Sequence, residues 1–299
     1  MRKPSKLEQQ LAVLHGSPSA EDVRGALRSK NGLLIAAAAR HAETADLPAA
    51  FAALLEDPVK RDPVCRGKVA IARVLHERDE WDELFTRGVR HVQKEPALGG
   101  PVDTAGELRG ICGIAYAQCR RPDALDVLAD LLADPEVAAR MAAAQGLGDS
   151  GRPDAAALLR FKLRIGDVHG EVISVCCESL LHLQREEALD VVASLLSGQH
   201  DEVAALALAE SRLPAALVPL RAWIEASLPA VRRRVGYLAL ALTRAAHDEL
   251  LEIVKTGDRA DALAAAKALA TFKDDPAVRD ALLAAAPKAL RAEIAALVA

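Results

Sequence analysis

The most regular feature of the chain is a series of Ala-, Leu- and Val-rich stretches, each followed by a short turn and a second stretch of the same kind. Their apolar positions follow helical spacing, and no sustained alternation predicts a strand. Most successive pairs start 27 to 33 residues apart. A helix pair of this size cannot bury its apolar face alone, so it must stack on its neighbours. The predicted starts are Ala20, Leu47, Asp79, Pro122, Pro153, Glu186, Leu213, Ala246 and Pro276.

The composition favours thin layers over one thick core. Hydrophobic residues make up 51% of the chain but aromatic residues only 3%, and small side chains let helices approach closely. A stack grows by adding layers, so 299 residues do not require two domains. We therefore predict one continuous all-α domain of about nine antiparallel helix pairs over residues 1–299, with a cap helix within residues 1–19.

Several predicted second helices share one sequence frame. An aspartate stands at the start, often followed by proline, and a cation follows six residues later. An aspartate at a helix start can accept hydrogen bonds from free main-chain amides, and a cation further along can reach a neighbouring carboxylate. The frame occurs at Asp62 with Lys68, Asp103 with Arg109, and Asp134 with Arg140.

In this frame the chain resembles the HEAT-repeat (armadillo-like) family of α-solenoids. The resemblance implies a right-handed solenoid in which the paired charges form a structural ladder between successive repeats and are not catalytic. The frame lapses at Asp167, where Ile173 takes the place of the cation, so we expect the ladder to be interrupted in the C-terminal half. The ladder residues are Asp62, Lys68, Asp103, Arg109, Asp134 and Arg140.

One interval is longer than the others. The third unit spans 43 residues, from Asp79 to Pro122, and the excess falls in a loop insertion at residues 94–103. Long ordered loops often carry function, but this one could also be a tolerated insertion in which Asp103 only caps a helix. Read as a partner-binding loop, its contact residues are Glu95, Gly99, Gly100, Asp103 and Glu107.

A second departure from the repeat pattern is electrostatic. Between Ser211 and Ala245 six arginines stand against a single acid, with Trp223 and Tyr237 among them. Arginine beside aromatic rings is typical of polyanion binding, but a solvated basic face gives the same pattern. The net charge of −4 opposes long-range attraction of nucleic acid. The candidate patch consists of Arg212, Arg221, Arg232, Arg233 and Arg244, with Arg234 at the ladder position.

Enzyme signatures are lacking in the sequence. It contains no phosphate-binding loop, no His-Glu-x-x-His helix, no paired Cys-x-x-Cys frame and no Gly-x-Ser-x-Gly elbow. Five cysteines, an odd number, indicate free thiols that take the place of alanine in a tight core. We therefore predict no catalytic residue, no metal site and no cofactor.

Three functions remain open at the level of sequence. The favoured one is a non-catalytic scaffold that binds another protein or peptide on its concave face and on the 95–107 loop. The others are a nucleic-acid-binding protein similar to the HEAT-like alkylpurine DNA glycosylases, and an accessory protein similar to the HEAT-like bilin lyases, with a reactive group near Cys112 or Cys119. Because no apolar run approaches about 20 residues, we expect a cytoplasmic protein without membrane contact. The oligomeric state stays open.

Overall fold

The computed structural model describes residues 4–81 and 83–299, and these residues form two compact units that divide between Gly151 and Arg152. The helices of the first unit are α1 (Lys6–His15), α2 (Ala20–Leu27), α3 (Gly32–Ala39), α4 (Leu47–Leu54), α5 (Pro58–Arg61), α6 (Arg66–Glu77), α7 (Leu84–Gly88), α8 (Gly106–Gln118), α9 (Ala124–Leu132) and α10 (Val137–Asp149). A hairpin of two short antiparallel strands, β1 (Lys94–Glu95) and β2 (Val102–Asp103), lies between α7 and α8.

The second unit is helical throughout. Its helices are α11 (Ala155–Ile165), α12 (Gly170–Gln184), α13 (Leu189–Ala193), α14 (Asp201–Glu210), α15 (Leu217–Ala226), α16 (Pro229–Val231), α17 (Tyr237–Leu242), α18 (His247–Thr256), α19 (Arg259–Leu269), α20 (Pro276–Ala285) and α21 (Arg291–Leu297). A π-helical turn, Arg232–Gly236, joins α16 to α17. Short 3-10 turns precede several of the first helices, as at Pro214–Ala216 and Arg244–Ala246.

Packing within each unit runs between sequence neighbours. In the first unit the second helices α3, α6, α8 and α10 contact one another in chain order, and the first helices α2, α4, α7 and α9 pack onto this row. In the second unit α12, α14, α17, α19 and α21 form the corresponding row. Each unit is therefore built by adding layers, as expected for helical repeats.

The core side chains are those that the composition predicts. Ala, Leu, Val and Ile supply most of the buried positions, and Phe51 and Phe85 are among the few buried aromatic residues. Side-chain caps fix several helix starts: Ser5 and Ser19 each accept a hydrogen bond from the main-chain amide three residues later, at 3.2 Å in both cases. Asn31 caps α3 in a similar way.

The prediction of an all-α helical-repeat fold is confirmed, with the small hairpin as the only sheet among the described residues. Several predicted starts coincide with helix starts, at Ala20, Leu47 and Pro276. The handedness, the number of repeats and the single-domain organisation stay predictions. The predicted cap region 1–19 contains α1, which contacts α2 and α3, while residues 1–3 lie outside the described residues. Among residues 4–81 and 83–299 no helix is both long and apolar enough to span a bilayer.

Candidate functional site

The first part of the candidate site is a tight turn before α6. Val64 and Cys65 both have left-handed backbone conformations, with φ of 54° and 55°, which is unusual for a β-branched residue such as valine. The turn brings the Asp62 carboxylate back to the start of α6, where it accepts hydrogen bonds from the amides of Gly67 (2.7 Å) and Lys68 (3.1 Å). Asp62 thus satisfies two of the free amides that every helix start leaves.

Asp62 also forms a buried ion pair. Its Oδ2 lies 2.9 Å from Nζ of Lys68, and both side chains are fully buried. If either residue were replaced by a neutral one, the other would be left as a buried charge with neither water nor a partner, which strongly destabilises a protein. This pair lies within one helix pair and does not bridge successive repeats.

Arg109 connects two successive turns. Its Nε and Nη2 donate to the two carboxylate oxygens of Asp134, both at 2.7 Å, and its Nη1 lies 2.8 Å from Oδ2 of Asp103 and donates to the carbonyl oxygen of His91 at 2.8 Å. The Arg109 side chain is only 4% exposed. Burial alone would lower its pKa, but the hydrogen bonds and charges of Asp134 and Asp103 give a net upward shift.

Two further contacts lie near the ladder positions. Arg140 donates from Nη1 to the main-chain oxygens of Asp134 (2.8 Å) and Pro135 (2.9 Å). In the second unit Asp167 pairs with Lys162 at 2.9 Å, and both side chains are buried. The sequence frame places the cation six residues after the aspartate, whereas Lys162 precedes Asp167 and lies on α11. The frame therefore did not predict this pair.

The hairpin is fixed to the protein by Glu95. Its Oε1 accepts hydrogen bonds from the Val64 amide (2.6 Å), Gln93 Nε2 (2.7 Å) and Thr104 Oγ1 (2.7 Å). Burial would raise the pKa of Glu95, but these hydrogen bonds and the charge of Lys68 give a net lowering. Glu95 is therefore an ionised anchor that joins the hairpin to the turn before α6.

Two of the predicted contact residues of the loop, Glu95 and Asp103, bind groups within the protein itself. Asp103 accepts hydrogen bonds from the amides of Gln93 (3.1 Å) and Ala105 (3.0 Å) and pairs with Arg109, so its oxygens are used internally. Glu107 forms an exposed ion pair with Arg73 on α6. A sequence shows that a loop has carboxylates but does not show whether they point inward.

The tip of the hairpin remains open. Gly99 and Gly100 turn the chain, with φ of 100° and 124°. A Cβ atom added to either glycine would have no neighbouring atom within 4 Å. Next to them Leu98 is fully exposed, and Val102 is 47% exposed. Val64, whose amide contacts Glu95, is 46% exposed. Sequence analysis overlooked these apolar side chains; the available signal was an apolar residue beside a Gly-Gly pair in a loop.

The predicted polyanion patch stays a prediction, and acids from outside the segment pair with several of its arginines. Arg221 pairs with Glu249 at 3.0 Å, Arg233 with Asp261 at 2.9 Å, and Arg244 with Asp275 at 2.9 Å. Arg234 pairs with Glu202, and Arg232 donates to main-chain oxygens at the end of α15. Arg212 follows α14 and is exposed. The sequence analysis counted only Glu225, the single acid between Ser211 and Ala245, and not the acids elsewhere in the chain.

The two aromatic residues of this segment are also unavailable for stacking on a base. Trp223 is 7% exposed and donates from Nε1 to Asp201 at 3.0 Å, and Tyr237 is 4% exposed with its hydroxyl 3.0 Å from Asp261. Stacking on nucleic-acid bases needs exposed ring faces.

The cysteines do not form a reactive centre. Cys65, Cys112, Cys176 and Cys177 are buried, and Cys119 is exposed. Burial raises the pKa of Cys65 to about 11 and that of Cys176 to about 12, and it raises the pKa values of Cys112 and Cys177 as well. The thiol, not the nucleophilic thiolate, is therefore favoured at neutral pH. The expectation of a reactive group near Cys112 is wrong because this thiol is enclosed by the core.

We expect native protein to react quickly with one equivalent of Ellman's reagent at pH 8, and unfolded protein to react with all five cysteines. Cys119 is the exposed thiol and should react well before the four buried ones, although partial burial and the charge of Asp79 raise its pKa and make it slower than an unperturbed thiol. A Cys119→Ser variant is the control and should show no fast phase. A second fast equivalent in the native protein would contradict the burial of the other four.

No group of three or more His, Cys, Asp or Glu side chains within the described part of the chain is arranged to hold a metal ion. Three or more such ligands are the usual minimum for a protein metal site.

The comparison with protein families identifies one segment. A family model for HEAT repeats matches residues 102–164, which include the second hairpin strand, α8, α9 and α10. The match contains Asp103, Arg109, Asp134 and Arg140 of the predicted ladder. The HEAT-repeat resemblance is thereby confirmed over this segment. The search of curated proteins gave no match.

Proposed function

We propose that this chain, whose residues 102–164 match HEAT repeats, is a protein-interaction module that binds its partner through the hairpin between α7 and α8. HEAT repeats generally mediate protein–protein interaction. The observation that carries the proposal is a fully exposed leucine, Leu98, at the tip of a hairpin whose base is tied to the protein by hydrogen bonds.

An exposed apolar side chain on a rigid support favours association. Covering Leu98, Val102 and Val64 would remove apolar surface from water at about 25 cal/mol per Å². The anchor at Glu95 holds the hairpin base before binding, so little conformational entropy is lost when a partner docks.

The same geometry favours a macromolecular partner over a small polar ligand. The carboxylates of Glu95 and Asp103 already accept hydrogen bonds from the protein itself, so they are poorly placed to bind a cation or an amine. What the hairpin offers outward is an apolar tip, which is the surface type that a complementary protein surface can cover.

The experiment is quantitative co-purification from the native host with the tagged full-length chain. We expect Leu98→Ser to reduce recovery of at least one specific partner about tenfold, in line with the loss of a central apolar contact. A second variant, in which Asn-Gly replaces residues 96–101, removes the tip while a two-residue turn keeps the strands paired. It should lose the same partner.

The matched control is Leu228→Ser, because Leu228 is 74% exposed but lies in the second unit. This control should keep the partner, and the circular dichroism of all three variants should equal that of the unchanged protein. Undiminished recovery with both hairpin variants would reject the hairpin as the binding surface.

A further inference from the structure

A groove in the first unit is lined by α2, by α4 and by the residues next to these helices. Its volume is about 510 Å³. Leu27 and Ala50 are buried at its bottom, while its charged lining residues are exposed and lie toward the solvent. These charged residues are three cations, Arg24, Arg28 and Lys30, and one carboxylate, Asp46. The groove is thus apolar at the bottom, and its described lining carries a net charge of +2.

The two arginines lie on the same side of α2. The main-chain amide of Arg28 donates to the carbonyl oxygen of Arg24 at 3.2 Å, so Arg28 completes the helical turn that follows Arg24. Residues four apart on a helix are neighbours, with about 5 to 6 Å between their Cβ atoms. Both side chains therefore line one groove.

Neither of these arginines is neutralised by the protein. With residues 4–81 and 83–299, the guanidinium groups of Arg24 and Arg28 form no ion pair and no hydrogen bond. Lys30 lies 3.9 Å from Glu56, but Glu56 also pairs with Arg61, so one carboxylate serves two cations. Like charges at the spacing of Arg24 and Arg28 repel each other, and an anion between them would be attracted by both.

A phosphoryl group matches this arrangement in charge and in geometry. A phosphorylated side chain carries a charge of about −1.5 to −2 at pH 7 and has three acceptor oxygens. Each arginine fork can bind such oxygens with two parallel hydrogen bonds. A carboxylate has one charge and two oxygens, so it would satisfy only one of the two arginines.

The apolar bottom indicates that the phosphoryl group is carried by a protein segment. A free phosphate ion would leave Leu27 and Ala53 uncovered, whereas an apolar side chain beside a phosphoserine or phosphothreonine would cover them. Single-stranded nucleic acid stacks its bases on aromatic rings, and no described lining residue is aromatic. Anionic membranes attract clusters of about four to eight cations, more than this groove contains.

We propose that this groove binds a phosphorylated segment of another protein, with the phosphoryl group between Arg24 and Arg28 and a neighbouring apolar side chain over Leu27. Lys30 adds to the attraction, and Asp46 opposes it. The proposal goes beyond the hairpin function, because the groove is built by different helices and selects its ligand by a charged modification.

The test screens the tagged full-length chain against bead libraries of phosphoserine and phosphothreonine peptides with randomised flanking positions, each beside its unphosphorylated counterpart. Selected sequences are then measured by fluorescence anisotropy. We expect only phosphorylated peptides to bind, and we expect their Kd to rise about tenfold or more with Arg24→Ala or Arg28→Ala, since each removes a charge-assisted contact. Asp46→Asn should lower the Kd about two- to threefold, because it removes the opposing charge.

The matched control is Arg87→Ala, because Arg87 is exposed on α7 and lies outside the groove. It should leave the Kd unchanged. Since Arg24 and Arg28 are exposed and unpaired, urea denaturation of their variants should match that of the unchanged protein, which separates a loss of binding from a loss of fold.

Three results of the screen would overturn the proposal: equal binding of unphosphorylated peptides, selection of no phosphopeptide, or an unchanged Kd in both arginine variants. Phosphatidylserine vesicles and single-stranded DNA serve as the other anionic probes. If either binds through Arg24 and Arg28 while no phosphopeptide does, the proposed ligand is wrong.

Discussion

Replacing Arg109 by methionine is expected to lower the free energy of unfolding by about 3 to 5 kcal/mol, the cost of removing one partner from a buried ion pair. Arg109 is 4% exposed and pairs with Asp103 and Asp134, both 9% exposed. Methionine keeps much of the side-chain volume but leaves two buried carboxylates close together without a cation. The measurement is urea denaturation followed by circular dichroism at neutral pH.

The control for this prediction is Arg73→Met. Arg73 also pairs with a carboxylate, that of Glu107, but their side chains are 53% and 55% exposed. Solvent screens such a pair, and the expected change is below about 1 kcal/mol. Equal losses for the two variants would show that burial does not distinguish these arginines and would contradict the buried ladder.

The same Arg109 network shows how far sequence reasoning reached. The frame of aspartate and cation found Asp103, Arg109 and Asp134 because helix starts have free amides and cations seek carboxylates, both of which are local rules. The HEAT resemblance implied hydrogen bonds between successive repeats, but not that Arg109 binds Asp134 with two hydrogen bonds as well as its own Asp103. That geometry depends on how neighbouring turns stack.

The helices were predictable for a related reason. Apolar spacing and turn residues are properties of short segments, and α2, α4 and α20 begin where the pattern predicts. The ion pairs of the arginine segment could not be predicted, because they depend on which helices lie next to each other in the fold. Arg221 pairs with Glu249, 28 residues further along the chain, and Arg244 pairs with Asp275, 31 residues further along. A window in the sequence cannot include such partners.

The hairpin shows both limits together. The interval longer than the repeat predicted a loop insertion at residues 94–103, where the structure has a hairpin. The direction of its side chains depends on the turn before α6. Val64 adopts a left-handed conformation, which its residue type does not predict. Through its amide this turn holds Glu95 inward, and the apolar tip at Leu98 is left as the outward surface.

Gly32→Ala is expected to destabilise the protein by about 3 kcal/mol, the upper part of the range for overpacking a close contact. Gly32 starts α3, and a Cβ placed on it would overlap Oδ1 of Asp62 and lie 2.9 Å from Cα of Asp62. A main-chain atom cannot move aside as the end of a side chain can. The added methyl group would push α3 away from the buried Asp62 and Lys68 pair.

The matched control, Gly25→Ala, is expected to change stability in the opposite direction. Gly25 lies in α2, and a Cβ on it would meet no atom within 4 Å. Alanine in a helix is favoured over glycine by about 0.5 to 1 kcal/mol, so this variant should be more stable by that amount. Urea denaturation of both variants measures the two changes side by side. Both variants replace glycine by alanine in an eight-residue helix, so we expect the opposite signs to follow from the space around each position, and a stable Gly32 variant would contradict the close packing of α3 against Asp62.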